Sequence, residues 1–358
     1  MLNFTVGPVM SSESVRKIGG DQTPYFRNNE FSKVMFENEK LMKELVCADK
    51  ESRVVFITGS GSASMEATVM NVLNKNDNVL IVNGGSFGQR FIDMCNLHEI
   101  PNEEIKLDFG QNITQEILGN YSNKNYTAFL VNICETSSCV YYDLDLISKF
   151  CKANNIFLIV DAISSFLANP LNMKEQNIDV VITGSQKAIA CPPGISIIVL
   201  GPNALKRVEN NNCKSMYLDL KNMLKNGERG QTPFTPAVTI LLQINERLKE
   251  IKKQGGVEEE IKRVSTLAND FRERIKDLPL EVKCNCLGNS VTGVYCINSN
   301  AEDIVNALKF DYDIWVNPNG GEVGEKMFRV GHIGDLTIED NDKLINAFKD
   351  LKKRGILK

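Results

Sequence analysis

Between about residues 50 and 200 the chain alternates short runs of β-branched and aromatic residues with stretches of helical periodicity. The runs are RVVFIT (53–58), NVLIVN (78–83), YTAFLVNI (126–133), NIFLIVD (155–161), DVVITG (179–184) and ISIIVL (195–200). Several are apolar without strict alternation, which marks strands covered on both faces, and helical stretches such as MEATVMNVL and LDLISKFCKAN lie between them. The pattern predicts an α/β fold with a mainly parallel sheet and helices on both sides. Ligands of such sheets collect beyond the carboxyl ends of the strands, so the residues just after each run are the first candidates for chemistry.

After Pro236 the texture changes. AVTILLQINERLKEIKKQ (237–254) ends at Gly255 and Gly256, and VEEEIKRVSTLANDFRERIKD (257–277) stops near Pro279; both predict helices with charged outer faces. Strand candidates VTGVYCI (291–297) and KMFRVGHI (326–333), a helix near 301–309 and a last helix near 338–354 predict a smaller α+β domain. NPNGGEVGE (317–325) reads as an exposed loop or hairpin. The expected division is a large α/β domain over 15–244 and a small domain over 245–358, with the helix at 237–254 as connector and segment 1–14 packing near the active site and the small domain.

Composition narrows the classes without choosing one. A chain of 358 residues suits about two domains. Lys+Arg number 41 against 45 Asp+Glu, a net charge of -4, so no basic excess is present to grip a phosphate backbone, and no nucleic-acid partner is expected. The longest strongly apolar stretch, IACPPGISIIVL (189–200), is broken by two prolines and a glycine and falls short of the ~20 residues that cross a bilayer. The amino terminus MLNFTVGPVM lacks the basic region and apolar core of a secretory signal, which predicts a cytoplasmic protein without a membrane partner. Ten cysteines with no CxxC, and one CxC at Cys284 and Cys286, read as reduced and mostly buried thiols. With only His98 and His332 in the chain, no histidine-based metal site is expected.

Three features after strand candidates carry chemistry. TGSGSASMEA follows RVVFIT and opens a helix, so Ser60, Gly61 and Ser62 could cradle a phosphate with backbone and hydroxyl donors; the same residues also suit a plain helix cap. The stretch matches neither the Walker pattern nor the dinucleotide glycine spacing, since Ser64 stands where a third glycine belongs. Asp161 stands directly behind IFLIV, where a carboxylate either caps a turn or pairs with a positive group. Lys187, in DVVITGSQKAIACPPG, is enclosed by small and apolar residues; desolvation would free its amine as a Schiff-base nucleophile, a plain ion pair being the other reading. Together the three match the needs of pyridoxal 5'-phosphate: a phosphate site, an acid for the ring nitrogen and an amine for the aldehyde. Phe87, in NGGSFGQR, is a stacking candidate for a flat ring, or an aromatic closing the core. Arg329, in KMFRVGHIG, offers a planar fork for a substrate carboxylate, or is an ordinary strand arginine.

In these stretches and their order the sequence resembles the class V aminotransferases of the fold-type I pyridoxal-phosphate enzymes. The likeness is closest to the branch of alanine:glyoxylate, serine:pyruvate and 2-aminoethylphosphonate:pyruvate aminotransferases. It runs from FTVGP (4–8) through GSGSASMEA, NGGSFGQR, CETSSCVYYDLDLI, IVDAISSF, GSQKAIACPPG and TPFTPAV to FRVGHIG. The resemblance implies a three-layer, aspartate aminotransferase-like large domain and ping-pong transfer of an amino group from a small amino acid to a 2-oxo acid such as pyruvate or glyoxylate. Lys187 then resembles the lysine bonded to the cofactor, and Asp161 the acid under its ring nitrogen. Phe87 takes the stacking position. Ser60, Gly61, Ser62 and Gln186 resemble the phosphate ligands, Thr136 the hydroxyl at the ring's phenolic oxygen, and Arg329 the substrate-carboxylate arginine. A further phosphate contact comes from a second subunit, which implies a homodimer with Thr235 reaching across.

The sequence departs from the family pattern in places. Thr232 stands where some relatives have a phosphate-binding tyrosine, Cys139 where a glycine is common, and Cys191 where a small residue precedes PPG. Phe26 and Arg27 are candidates for the substrate mouth. The alternative within the fold is a lyase or cysteine desulfurase, enzymes that resemble each other in a histidine stacked over the cofactor. Phe87 takes that position here, and residues 297–328 contain no cysteine of the kind desulfurases carry before the arginine. A non-catalytic protein that kept the fold is the third reading, against which stand both Lys187 and Asp161.

Overall fold

The six apolar runs form strands: Arg53–Thr58, Val79–Asn83, Ala128–Asn132, Phe157–Asp161, Val180–Gly184 and Ile195–Leu200. The computed structural model describes residues 1–358, the side chain of Glu322 excepted. A seventh strand, Asn102–Lys106, completes the large sheet at its edge. Its sequence, NEEIK, buries only Ile105, and an edge strand guarded by charge leaves little hydrophobic pattern to find. From edge to edge the order is Arg53–Thr58, Ile195–Leu200, Val180–Gly184, Phe157–Asp161, Ala128–Asn132, Val79–Asn83 and Asn102–Lys106.

The absence of alternation in these runs has its cause in two cores. Leu80, Val82, Phe129, Val131, Leu158, Val160 and Val181 point into one, and Ile81, Ala128, Leu130, Ile159, Val180 and Ile182 into the other. Helices Gly61–Val72 and Ser86–Leu97 cover the second face through Met65, Val69, Phe91 and Cys95. Helices Asn29–Leu45, Leu144–Ala153 and Val238–Lys253 supply residues to the first.

All neighbours in the sheet run parallel except Ile195–Leu200, which opposes both of its partners. A parallel strand would need a long crossover, whereas this reversal allows a short turn between Gly184 and Ile195. Lys187 sits in that turn. The turn is tied by Ser185 N–H to the Ile195 carbonyl at 2.9 Å, Cys191 N–H to the Ser185 carbonyl at 2.9 Å and Ser185 Oγ to the Pro192 carbonyl at 2.7 Å.

The second sheet has the order Leu2–Phe4, Ile314–Pro318, Met327–Gly331, Val291–Cys296 and Leu280–Glu281. Helices Val257–Arg274, Ala301–Tyr312 and Ile338–Lys353 cover it around Phe271, Ile304, Leu308, Phe328 and Phe348. Segment 317–325 opens on the last two residues of strand Ile314–Pro318, which pair antiparallel with Met327–Gly331, and then holds one short 3₁₀ turn, Gly321–Val323. The chain's first strand, Leu2–Phe4, runs parallel to Ile314–Pro318, so the amino terminus belongs to the small sheet. Helix Val238–Lys253 places Leu241, Ile244, Leu248 and Ile251 in the large core, and Leu267 and Phe271 belong to the small one. Packing therefore passes from one core to the other along Val257–Arg274, downstream of residue 245. The result is an aspartate aminotransferase-like large α/β domain with a smaller α+β domain.

Candidate active site

Six strands of the large sheet point the same way, and the residues that follow five of them meet at one edge. Ser60, Gly61, Ser62, Phe87, Thr136, Asp161, Gln186 and Lys187 all line a single cavity of about 160 Å³ there. Two predicted residues do not line it. Arg329 approaches from the small sheet, and Thr235 lies in a separate surface groove with Thr23, Phe26 and Pro236.

Asp161 is the last residue of its strand and only 1% exposed. Register places Asn132 beside it, and Asn132 Nδ2 donates to Asp161 Oδ2 at 2.7 Å. The Ile163 N–H donates to Oδ1 at 2.9 Å. Burial outweighs these bonds and pushes the carboxyl up to about 6, from an ordinary value of 3.8. A cationic group in the cavity is the partner that would hold it ionised.

Lys187 is displaced in the opposite sense. Burial lowers its ammonium to about 8; Asp161 opposes the shift, and the like charge of Arg329 adds to it. Its Nζ donates to the Val6 carbonyl at 2.7 Å. The amino-terminal segment thus touches the lysine nitrogen, a contact 181 residues away in the chain that no local pattern announces. Gly7 adopts φ +128°, and a Cβ there would stand 2.7 Å from Lys187 Cδ and 3.0 Å from Nζ. Gly7→Ala is accordingly expected to displace the lysine and slow its covalent capture of an aldehyde by at least about tenfold, strain and clash together costing more than ~1.4 kcal/mol. Stopped-flow absorbance on the apoprotein measures it, and an unchanged capture rate would show that Gly7 does not constrain the amine.

The other end of the cavity is shaped for an anion. Helix Gly61–Val72 points its unpaired N–H groups there, and the Ser60 side chain makes no capping bond. At Gly61 a Cβ would meet the Cδ1 methyl of Ile163, so a side chain there would have to push that methyl aside. Phe87 is held by Glu135, a fully buried acid whose Oε2 accepts from the N–H groups of Phe87 and Gly88 at 3.0 and 3.1 Å, at the start of helix Ser86–Leu97. Neither Glu135 nor Arg90, which also lines the cavity, was singled out by sequence. The available signal was their place in CETSS and NGGSFGQR, the two stretches that also carry Thr136 and Phe87.

Arg329 reaches across the two domains. Its Nη1 donates to the Thr136 carbonyl at 3.1 Å and its Nη2 to the Pro318 carbonyl at 2.9 Å, while Nε has no partner among the described residues. Cys139 takes φ 59°, which gives a physical reason for glycine in the corresponding turn of relatives. Its thiol is buried against Gly293, and burial pushes its pKa far up, as it does for Cys191. Both cysteines are packing groups. Arg27 spends its guanidinium on the Thr232 carbonyl at 2.6 Å and the Pro233 carbonyl at 3.2 Å, and so braces the segment that leads to Thr235.

The donor set fits pyridoxal 5'-phosphate: a buried amine, a buried acid and an uncapped helix start share one cavity with an aromatic ring. The sequence profile of the aminotransferase class-V family matches residues 21–332. The chain is 30% identical to the soluble hydrogenase small subunit of Synechococcus sp. (strain PCC 6716), over 96% of this chain and 90% of that protein. It is 27% identical to the alanine–glyoxylate aminotransferase of Felis catus, over 97% and 86%. In three dimensions it is similar to an aspartate aminotransferase of subgroup IV from Thermus thermophilus, with a TM-score of 0.92, 22% identity and 99% of each chain covered.

Proposed function

We propose that this chain, which belongs to the aminotransferase class-V family, is a pyridoxal 5'-phosphate-dependent transaminase that moves an amino group from a small donor to a 2-oxo acid such as pyruvate or glyoxylate. The donors in view are alanine, serine or 2-aminoethylphosphonate. The observation that carries the reading is the presence in one cavity of a buried amine, Lys187, whose ammonium is lowered to about 8, and a buried carboxyl, Asp161. The likeness to the cat enzyme named for alanine and glyoxylate supports the substrate class.

When bound, the cofactor supplies an aldehyde and an electron-withdrawing ring that acidify the α-proton of an amino acid. Lys187 would hold the aldehyde carbon and, once released by the incoming amine, carry the proton at Nζ; an ammonium lowered to about 8 can both take and return a proton near neutral pH. Asp161 would keep the ring nitrogen protonated. Phe87 would lie against the ring, and the Thr136 hydroxyl would meet its phenolic oxygen. Ser60, Gly61, Ser62 and Gln186 would take the phosphate, with Thr235 of a second copy of the chain in a homodimer. The exposed Tyr25 beside Thr235 in the surface groove supports that dimer, since it offers an aromatic anchor for a partner.

A half-reaction screen tests this reading: purified holoprotein is mixed with each donor and loss of the long-wavelength cofactor absorbance is followed. Small donors should bleach it, and failure of every amine tried would overturn the assignment. Arg329 is the proposed reader of the donor's acid group, and Arg329→Ala should weaken carboxylate donors by about 2 to 5 kcal/mol in apparent affinity, with Arg329→Lys in between. Removal of its charge should also raise the Lys187 pKa, visible as an upward shift in the pH profile of aldehyde capture. An unchanged donor dependence would place the anion site elsewhere.

A further inference from the structure

Arg90 stands at the anion end of the cavity with no part in the reading above. It follows Phe87 by three residues on helix Ser86–Leu97, and its guanidinium lies over the Phe87 ring, 4.9 Å from the centroid. Its hydrogen bond among the described residues goes to Ser62, with Nη1 donating to Oγ at 2.8 Å. Ser62 lies in the first turn of helix Gly61–Val72, beside the unpaired N–H groups that face the cavity.

A serine oxygen that accepts from a cation still has its own proton to give, and the charged donor strengthens that proton as a donor. Ser62 without Arg90 could turn its hydroxyl back onto the helix, as serines in helices commonly do. We infer that Arg90 is a positioning residue for the cofactor phosphate: it holds Ser62 Oγ as an acceptor, so that the hydroxyl proton is directed to the phosphate, and the Phe87 face holds Arg90 in turn. Arginine suits the task because its plane can lie on a ring while one N–H bonds sideways, which a lysine cannot do. The inference rests on the cofactor reading proposed above.

The test is titration of the apoprotein with pyridoxal 5'-phosphate and, separately, with pyridoxal, in the parent, Arg90→Met, Arg90→Lys, Ser62→Ala and the Arg90→Met/Ser62→Ala double variant. Binding is read by cofactor absorbance, and melting curves establish that each apoprotein is folded. Arg90→Met should weaken the phosphorylated ligand roughly tenfold, the scale of one charge-assisted hydrogen bond, and leave pyridoxal within about twofold. Arg90→Lys should recover only part of the loss. In the Ser62→Ala background the same Arg90→Met change should cost about twofold or less, because the two residues act as one unit. A full tenfold loss in that background, equal weakening of pyridoxal, or no weakening at all would each overturn the inference. A parent apoprotein that takes up neither ligand would overturn the cofactor reading itself, a result distinct from any of these.

Discussion

Lys187→Ala is expected to abolish covalent capture of pyridoxal 5'-phosphate and to lower amino transfer by at least about 10³-fold, since one side chain supplies both the nucleophile and the proton carrier. Non-covalent binding should survive, because the phosphate and ring contacts belong to other residues. Borohydride reduction followed by peptide mapping checks this, and a label recovered on any other lysine would sink the assignment. The parent carries a pH signature as well. Capture needs the neutral amine, so its rate in the apoprotein should rise through pH of about 8, where burial places the ammonium, rather than near 10.5. At pH 8 about half the amine is then neutral, against less than about 1% for a solvated lysine.

For Asp161→Asn the expected effects on rate and on stability have opposite signs. The change keeps the volume and removes the charge that would hold the ring nitrogen protonated, so half-reaction rates should fall by at least about 10²-fold, the scale for a preorganised charge at a reacting centre. The fold can absorb the new amide. Asn132 Oδ1 has no partner among the described residues, so a turn of the Asn132 amide offers an acceptor where Asp161 now receives a donor. The folded-state pKa of Asp161 lies above its unfolded value, so the folded chain holds this proton more tightly, and the stability it contributes is complete below pH ~3.8 and lost as pH rises through about 6. At neutral pH the ionised, buried carboxylate therefore costs roughly 3 kcal/mol relative to the protonated form. The Asn variant escapes that cost, and its apoprotein should gain on the parent in denaturant melts at pH 7.5 but not at pH 4. A cofactor-saturated variant with the parent's half-reaction rate would remove Asp161 from the proposed chemistry.

What the sequence made legible was set by range. Asp161 and Lys187 stand out because one ends an apolar strand and the other shortly follows one, and parallel strands gather such positions at one edge. Ser60, Gly61 and Ser62 were visible for the same reason. Glu135 and Arg90 were not, since an acid in a two-residue strand and an arginine on the first turns of a helix look solvated until Phe87 and Ser62 are packed against them. The Val6 carbonyl and Gly7 could not be seen as neighbours of Lys187 at all: their contact depends on tertiary path, and a backbone acceptor carries no residue signature. Thr235 marks the other limit. Within one chain it lines a surface groove, and the phosphate contact proposed for it would need a second copy.

The pairing of Leu2–Phe4 with Ile314–Pro318 has a consequence for the timing of biogenesis. The Val6 N–H also donates to Asn317 Oδ1 at 2.6 Å, so the carbonyl that faces Lys187 is anchored to residues more than three hundred positions later. On the ribosome the large sheet can close once Leu200 has emerged, but the surroundings of its lysine stay unfinished until Ile314–Pro318 has followed. Nascent polypeptide shorter than this would therefore hold a shaped pocket with an unanchored amine, and full competence to capture an aldehyde would wait for that strand. Chains stopped before Ile314 should keep the sheet yet lack the anchor at that nitrogen.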